Sequence, residues 1–136
     1  MCVKYVYREF VVMKSRENLV RLKKFQVSEK RRQLAQIDMM VAEFQRMANE
    51  LDAQISSEER KSGITDINHF AYPTFAKAAR LRRDNLKMSQ GDLLQQKAGA
   101  EAALAEAEVE LAKAELLENR DTRQRELGAD ARRAVG

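Results

Sequence analysis

"GITDINHFAYP", residues 63–73, decides how this chain of 136 residues folds, because the sequence on both sides has the composition of continuous helix. The stretch contains the single proline and the single histidine of the sequence. A glycine readily ends a helix, short polar side chains cap the backbone of a loop, and a proline suits the first turn of a new helix. Residues of all three kinds are concentrated here: Gly63, Thr65, Asp66, Asn68 and Pro73. We therefore predict a hairpin tip loop at residues 61–73 between two long helices.

The segment before the tip carries apolar residues at alternating steps of three and four, a heptad pattern. Sustained over three heptads, this pattern indicates a coiled coil rather than a generic amphipathic helix. The apolar series is Leu34, Ile37, Val41, Phe44, Ala48, Leu51 and Ile55. Towards the N-terminus the same spacing continues with alternating basic and apolar residues, in the order Lys30, Val27, Lys23 and Val20. We predict a first coiled-coil segment over residues 13–60, whose helix begins near Ser15.

The segment after the tip, residues 74–127, is predicted to be the second coiled-coil helix. Its heptad series is Ala79, Leu86, Leu93, Ala100, Leu104, Ala107, Leu111 and Ala114, interrupted by Gln90 and Lys97. Alanine is the best helix former and lets a partner helix approach closely. Gly91 and Gly99 lower helicity locally without breaking the helix. Gly128 is predicted to end the helix, and residues 128–136 to form a flexible basic tail.

The charge pattern supports an antiparallel arrangement of these helices. The formal net charge is only +4, but residues 14–32 are strongly basic and the far half of the second helix is acidic. A fold near residue 67 places the two segments side by side, with lysine stems covering the helix contact. We predict an all-α protein, two long helices in an antiparallel coiled-coil hairpin. A bundle of three or four helices is the alternative, and it needs more turns than one proline and five glycines supply.

The first twelve residues differ from the rest of the chain. Val3, Tyr5 and Tyr7 alternate as in a short strand, but no later segment offers a strand partner. The hypothesis is that residues 1–12 are an extension before a true start at Met13; the alternative is one or two frayed helical turns. The single cysteine excludes an internal disulfide, and neither a signal peptide nor a transmembrane run is present in the sequence. We expect a soluble cytoplasmic protein.

No pattern for catalysis or for a cofactor is found. The chain has no glycine-rich phosphate loop, no set of Cys and His ligands and no nucleophile motif, and His69 stands alone near a turn, where a cap or surface role is expected. We expect no enzyme, no cofactor and no metal. The basic run at residues 14–32 could bind nucleic acid or anionic lipid, but it lacks interleaved aromatic residues apart from Phe25. We favour a solvated helix face, and a nucleic-acid accessory protein stays an alternative.

Two stretches carry a resemblance to a known family. "MKSRENLVRLKKFQVSEKRRQLAQIDMM", residues 13–40, and "FAYPTFAKAARLRRDNL", residues 70–86, resemble the flagellar export protein FliJ family of bacteria. The resemblance covers about residues 13–126. It implies a two-helix antiparallel coiled coil in the flagellar type III export apparatus, in the cytoplasm and peripheral at the cytoplasmic face of the inner membrane. The implied role is a non-enzymatic stalk and chaperone that couples the export ATPase to the export gate and so serves flagellum biogenesis and motility.

The resemblance also implies partners and contact residues. The partners are the hexameric export ATPase, the cytoplasmic domain of the export gate membrane protein and export chaperones, and we expect no nucleic acid. The positions that match the gate-binding pattern are Phe70, Tyr72, Phe75 and Ala79. The joined ends of the hairpin, which the family directs to the ATPase ring, contain Arg16, Arg21, Lys23, Lys24, Arg120 and Arg123. The tip aromatics either pack the turn as a local cluster, or at least Tyr72 and Phe75 stay available to the gate. A generic self-associating coiled-coil scaffold is the alternative function.

Overall fold

The structure is a computed structural model that describes residues 2–136, and it consists of two helices. Helix α1 spans Cys2–Ser62, helix α2 spans Thr74–Val135, and the tip loop joins them. The two helices pack against each other, and the described residues contain no strand. The prediction of an all-α antiparallel hairpin is therefore confirmed.

The heptad pattern of α1 is visible in the burial of its side chains. An unbroken series of buried or half-buried residues alternates in steps of three and four: Met13, Arg16, Val20, Lys23, Val27, Lys30, Leu34, Ile37, Val41, Phe44, Ala48, Leu51 and Ile55. The predicted apolar series is confirmed, and so is its basic extension towards the N-terminus. Such a series faces one partner helix along its length.

Helix α2 presents a matching series. Its buried or half-buried positions include Ala76, Ala79, Arg83, Leu86, Gln90, Leu93, Lys97, Ala100, Leu104, Ala107, Leu111 and Ala114. The two predicted interruptions are paired across to α1. Gln90 donates from Nε2 to Oε1 of Gln45 at 3.0 Å, and Lys97 Nζ lies 2.7 Å from Oδ1 of Asp38. The polar residues thus keep their place in the helix contact by bonding to the partner helix.

The hairpin comprises two compact units. The tip unit is residues 33–100, and its core is a cluster of Leu51, Ile55 and Ala79, against which Leu86 packs. The terminal unit is residues 2–32 together with 101–136, and its buried apolar side chains are Val20, Val27 and Ala114. Each unit is thus a narrow two-helix contact.

Ion pairs between the helices have opposite polarity in the two units. In the terminal unit α1 supplies the cation, with Arg16–Asp121 at 2.6 Å and Arg31–Glu108 at 3.1 Å. In the tip unit α1 supplies the anion, in the pairs Asp38–Lys97, Asp52–Arg83 and Glu59–Arg80. The charge pattern of the sequence predicted the polarity of the ion pairs in the terminal unit, but not that of the pairs in the tip unit. Because each exposed pair contributes about 0–1 kcal/mol, the charges select helix orientation more than they stabilise it.

The tip loop follows the predicted turn chemistry with two refinements. Gly63 adopts φ 71°, and its amide donates to the Glu59 carbonyl at 2.9 Å, which ends α1 in the left-handed conformation that glycine favours. Asp66 Oδ1 accepts from the amide of Asn68 at 3.0 Å, so Asp66 is the capping side chain of this pair. Pro73 immediately precedes α2 rather than lying in its first turn, and its carbonyl accepts from the Lys77 amide at 3.0 Å.

Both outer helix ends extend beyond the predicted boundaries. Residues 2–12 belong to α1, so Ser15 lies inside the helix and Met13 is not a structural boundary. The prediction that α2 ends at Gly128 is wrong, as is that of a loose tail, because the helix continues to Val135. A single helical glycine costs about 1 kcal/mol relative to alanine, and the flanking Arg, Glu and Ala residues are good helix formers. No proline follows that would enforce a stop.

Replacing Gly91 and Gly99 together by alanine is expected to raise the free energy of unfolding by about 1–2 kcal/mol. Both glycines lie within α2, and a Cβ atom added to either meets no atom within 4 Å. Urea unfolding followed by circular dichroism at 222 nm measures the change. Gly63→Ala is the matched control, because its positive φ makes the same substitution destabilising. Stabilisation by Gly63→Ala would contradict the assigned turn geometry.

Candidate partner-binding sites

A hydrogen-bonded network joins the two helices next to the tip loop. The hydroxyl of Tyr72 donates to Oε1 of Glu59 at 2.8 Å and accepts from Nε of Arg80 at 2.8 Å, and Arg80 also pairs with Glu59. The guanidinium carbon of Arg80 lies 5.8 Å from the centroid of the Tyr72 ring, a cation–π distance. Tyr72 is buried, with 8% of its surface exposed. The expectation that Tyr72 stays available to a partner is wrong.

The same network shifts the titration of its charged members. The hydrogen bond from Arg80, followed by that from Tyr72, holds the pKa of Glu59 below its ordinary value of 4.5. Glu59 in turn raises the pKa of Arg80, and Asp52 raises the pKa of Arg83 through a hydrogen bond of 2.9 Å. Glu59 therefore stays a carboxylate at neutral pH and forms the centre of the link between the helices.

Stability is expected to fall as the pH decreases through the folded-state pKa of Glu59. Because that pKa is depressed on folding, its stabilisation is fully present above the unfolded value of 4.5 and is lost at lower pH. Glu59→Gln should reduce the difference between the unfolding free energies at pH 7 and pH 3. Glu43→Gln is the comparison, because Arg46 also lowers the pKa of Glu43, but on one exposed helix. An equal reduction in both variants would argue against a network between helices.

Two phenylalanines at the tip are exposed. Phe70 is 96% exposed and stacks on His69, with ring centroids 4.7 Å apart, and Phe75 in the first turn of α2 is 58% exposed. The alternative of one aromatic cluster that packs the turn is therefore wrong as well. We call Phe70 and Phe75 the tip patch. His69 caps the loop, since its Nδ1 accepts from the Ala71 amide at 3.1 Å.

Ala79, the fourth residue of the predicted gate-binding set, lies in the helix contact. It is 4% exposed and belongs to the core cluster with Leu51 and Ile55. Its spacing in the heptad series already indicated this position. A partner could reach Ala79 only if the two helices separated, so the surface that remains from the predicted set is the tip patch.

The six predicted ATPase-facing residues divide into three groups. Arg16 is half-buried, pairs with Asp121 and donates to the carbonyl of Leu117 at 3.3 Å, so it joins α1 to α2. Lys23 is half-buried at a heptad position. The remaining four are exposed: Arg21, Lys24, Arg120 and Arg123. The Arg16 guanidinium is thus engaged within the chain, so a ring contact through it would compete with Asp121.

Two exposed apolar features were not predicted. The first, here named the N-terminal face, consists of Val3, Val6, Tyr7 and Phe10 on α1. Its spacing of i, i+3, i+4 and i+7 is the helical signal that could have revealed it. The second is a heptad-spaced line on the outer surface of α2 in the terminal unit, here named the outer line: Ala102, Ala105, Val109, Ala112 and Leu116. All its members are exposed.

Two structural features are missing from the described residues. Within residues 2–136, no group of three or more His, Cys, Asp and Glu side chains could hold a metal ion. Neither described helix has both the length and the apolar character needed to cross a bilayer. What the geometry defines is a helical hairpin with exposed apolar and charged surfaces.

Comparison with known proteins adds no relative. No protein-family model, no curated protein and no solved structure matches the chain. The resemblance to the flagellar export family therefore rests on residues 13–40 and 70–86 alone.

Proposed function

We propose that this protein is a non-enzymatic component of the bacterial flagellar protein export apparatus. In this proposal it acts as a coiled-coil stalk and chaperone that couples the hexameric export ATPase to the cytoplasmic domain of the export gate. It is located in the cytoplasm and reaches the inner membrane through these partners. The observation that carries the proposal is the exposed tip patch on an antiparallel hairpin, in a segment that resembles the family's own sequence.

The helix contact suits a stalk. The heptad series is unbroken in α1 from Met13 to Ile55, and the inversion of charge polarity between the units disfavours a slipped or parallel pairing. In a parallel pairing, basic residues 14–32 of α1 would meet the basic first turns of α2. A shaft that transmits movement needs such a fixed register between its helices.

The charged residues of the terminal unit suit contact with a ring. Arg21, Lys24, Arg120 and Arg123 are exposed, and each can form weak, screened ion pairs with acidic side chains. Contacts of this kind form and break readily, so a stalk can touch successive subunits of a hexamer without being held by one. They provide the ATPase side of the proposed coupling.

The tip patch supplies the gate side of the proposal. Two exposed phenylalanines offer large apolar surfaces, and aromatic side chains provide much of the energy of protein interfaces. Phe70 makes few contacts within the chain, so its burial by a partner removes apolar area from water without breaking the fold. The tip patch consists of only two side chains, and so small an apolar surface is consistent with a transient contact.

Phe70→Ala combined with Phe75→Ala is expected to weaken binding to the purified cytoplasmic domain of the gate at least tenfold, about 1.4 kcal/mol. The helical circular dichroism should not change, since both side chains are exposed. Leu81→Ala with Met88→Ala is the matched control, because these residues are exposed on α2 away from the first turn. Isothermal titration calorimetry measures the affinities. Equal affinities of the double variant and the unaltered chain would refute the gate-binding role.

A self-associating scaffold is the second candidate function, and the outer line favours it. Val109 is 54% and Leu116 is 69% exposed, and their heptad spacing is that of a second coiled-coil contact. Sedimentation equilibrium separates the candidates. A monomer favours the stalk, whereas a stable dimer that Leu116→Glu dissociates favours the scaffold.

A further inference from the structure

The N-terminal face is an apolar surface that the described residues leave exposed. Val3, Val6, Tyr7 and Phe10 are between 57% and 81% exposed, although they lie in one stripe along α1. At 100° per residue, the centre of the stripe lies about 100° around the helix from the heptad series that faces α2, and Val6, seven residues before Met13, continues that series. It covers about two turns, and the helix becomes charged on this side from Lys14 onwards.

Basic side chains border this face. Lys4 follows Val3 by one position and precedes Tyr7 by three, which places it beside one edge of the stripe, whereas Arg8 lies further around the helix. Lys14 lies at its end, with Nζ 6.0 Å from the centroid of the Phe10 ring. Long basic side chains of this kind can extend past an apolar surface and keep their charge in a polar layer.

The excess positive charge of the protein is concentrated in the unit that contains this face. Residues 2–14 and 122–136, all in the terminal unit, contain seven Lys and Arg against three Asp and Glu. Their formal charge of +4 equals that of the whole chain, so the remaining residues are neutral in sum. The two segments are neighbours, because the Arg16–Asp121 pair joins the helices just inside both of them.

We infer that the N-terminal face binds the surface of an anionic phospholipid bilayer. Helix α1 would lie in the plane of the interface, with its apolar stripe at the boundary of the acyl chains and its basic side chains among the headgroup phosphates. Tyr7 suits this depth, since its ring is apolar and its hydroxyl is polar. A second copy of the chain is the poorer occupant, because pairing two such faces would bring together two sets of like charges. The inference does not rest on the proposed export role.

Two tyrosines provide a matched test. Tyr5 is 77% and Tyr7 is 71% exposed, but only Tyr7 belongs to the stripe, and a spacing of two residues places them on opposite sides of the helix. The full-length chain is mixed with vesicles of phosphatidylglycerol and phosphatidylcholine, and bound protein is measured by flotation. Tyr7→Glu should reduce the bound fraction about tenfold, and Tyr5→Glu less than twofold. Vesicles of phosphatidylcholine alone should bind weakly.

A spectroscopic measurement keeps the test independent of the charge that glutamate introduces. The chain contains no tryptophan, so Phe10→Trp and Tyr5→Trp each report on a single position. With anionic vesicles, emission from position 10 should shift to shorter wavelength, and emission from position 5 should not. Equal shifts at both positions, or equal binding of the two glutamate variants, would overturn the inference. So would a dimer in the absence of vesicles that Tyr7→Glu dissociates, since the face would then join two copies.

Discussion

Tyr72→Ala is expected to lower the free energy of unfolding by about 3 kcal/mol, the largest effect of any side chain in the tip loop. Tyr72 is the buried aromatic residue of the loop, and its truncation removes packing as well as two hydrogen bonds. Glu59 and Arg80 would still pair, but without the hydroxyl that bonds to both. Urea unfolding at pH 7, followed by circular dichroism, measures the loss.

Two further variants separate the contributions of ring and hydroxyl. Tyr72→Phe retains the ring and should cost about 1 kcal/mol, the usual net value of a buried hydrogen bond. Phe70→Ala should change stability by less than about 0.5 kcal/mol, because its side chain is almost fully exposed. If Phe70→Ala proved as destabilising as Tyr72→Ala, the two aromatic residues would form one cluster and the assigned roles would be wrong.

The different burial of the tip aromatics shows what could not be predicted from the sequence. The three tip aromatics lie in the tip loop or in the first turn of α2, and residue type does not say which one is buried. Tyr72 is buried because Glu59 and Arg80, 21 residues apart, meet beside it. That meeting depends on the register between the helices, which is a property of the tertiary structure. The proposed gate contact is reduced accordingly to Phe70 and Phe75.

The helix contact was predictable because heptad spacing is a local property of the sequence. The predicted series of α1 is buried or half-buried throughout, and its extension through Lys23 and Lys30 is half-buried as expected. The pattern does not state what a charged residue does at such a position. Arg16 continues the same series, and its pair with Asp121 became evident once both helices were in register.

Helix ends were harder to predict than helix contacts. Gly63 and Gly128 are both glycines near the end of a predicted helix, but only Gly63 has a positive φ. The difference lies in the neighbouring residues, because Gly63 precedes a loop with Asp66 and Pro73, whereas Gly128 lies among helix formers. The end of a helix therefore requires two features. One is a residue that tolerates a positive φ, and the other is a following loop that provides partners for the backbone hydrogen-bonding groups.

The core cluster of the tip unit is expected to be the other large contributor to stability. Ile55→Ala should lower the free energy of unfolding by about 3 kcal/mol, because the side chain is 3% exposed and packs in the cluster with Leu51 and Ala79. The narrow contact between two helices offers few side chains that could move to fill the resulting cavity. Urea unfolding followed by circular dichroism measures the change.

Position within the heptad should decide this effect, rather than apolar character alone. Met39→Ala is the matched control on the same helix, since Met39 is 72% exposed, and it should change stability by less than about 0.5 kcal/mol. Similar losses for Ile55→Ala and Met39→Ala would contradict the assigned helix contact. Val27→Ala probes the terminal unit, and its cost should add to that of Ile55→Ala, because the two residues belong to different units and distant sites contribute independently. A combined loss well above the sum would show that the two units depend on each other for stability.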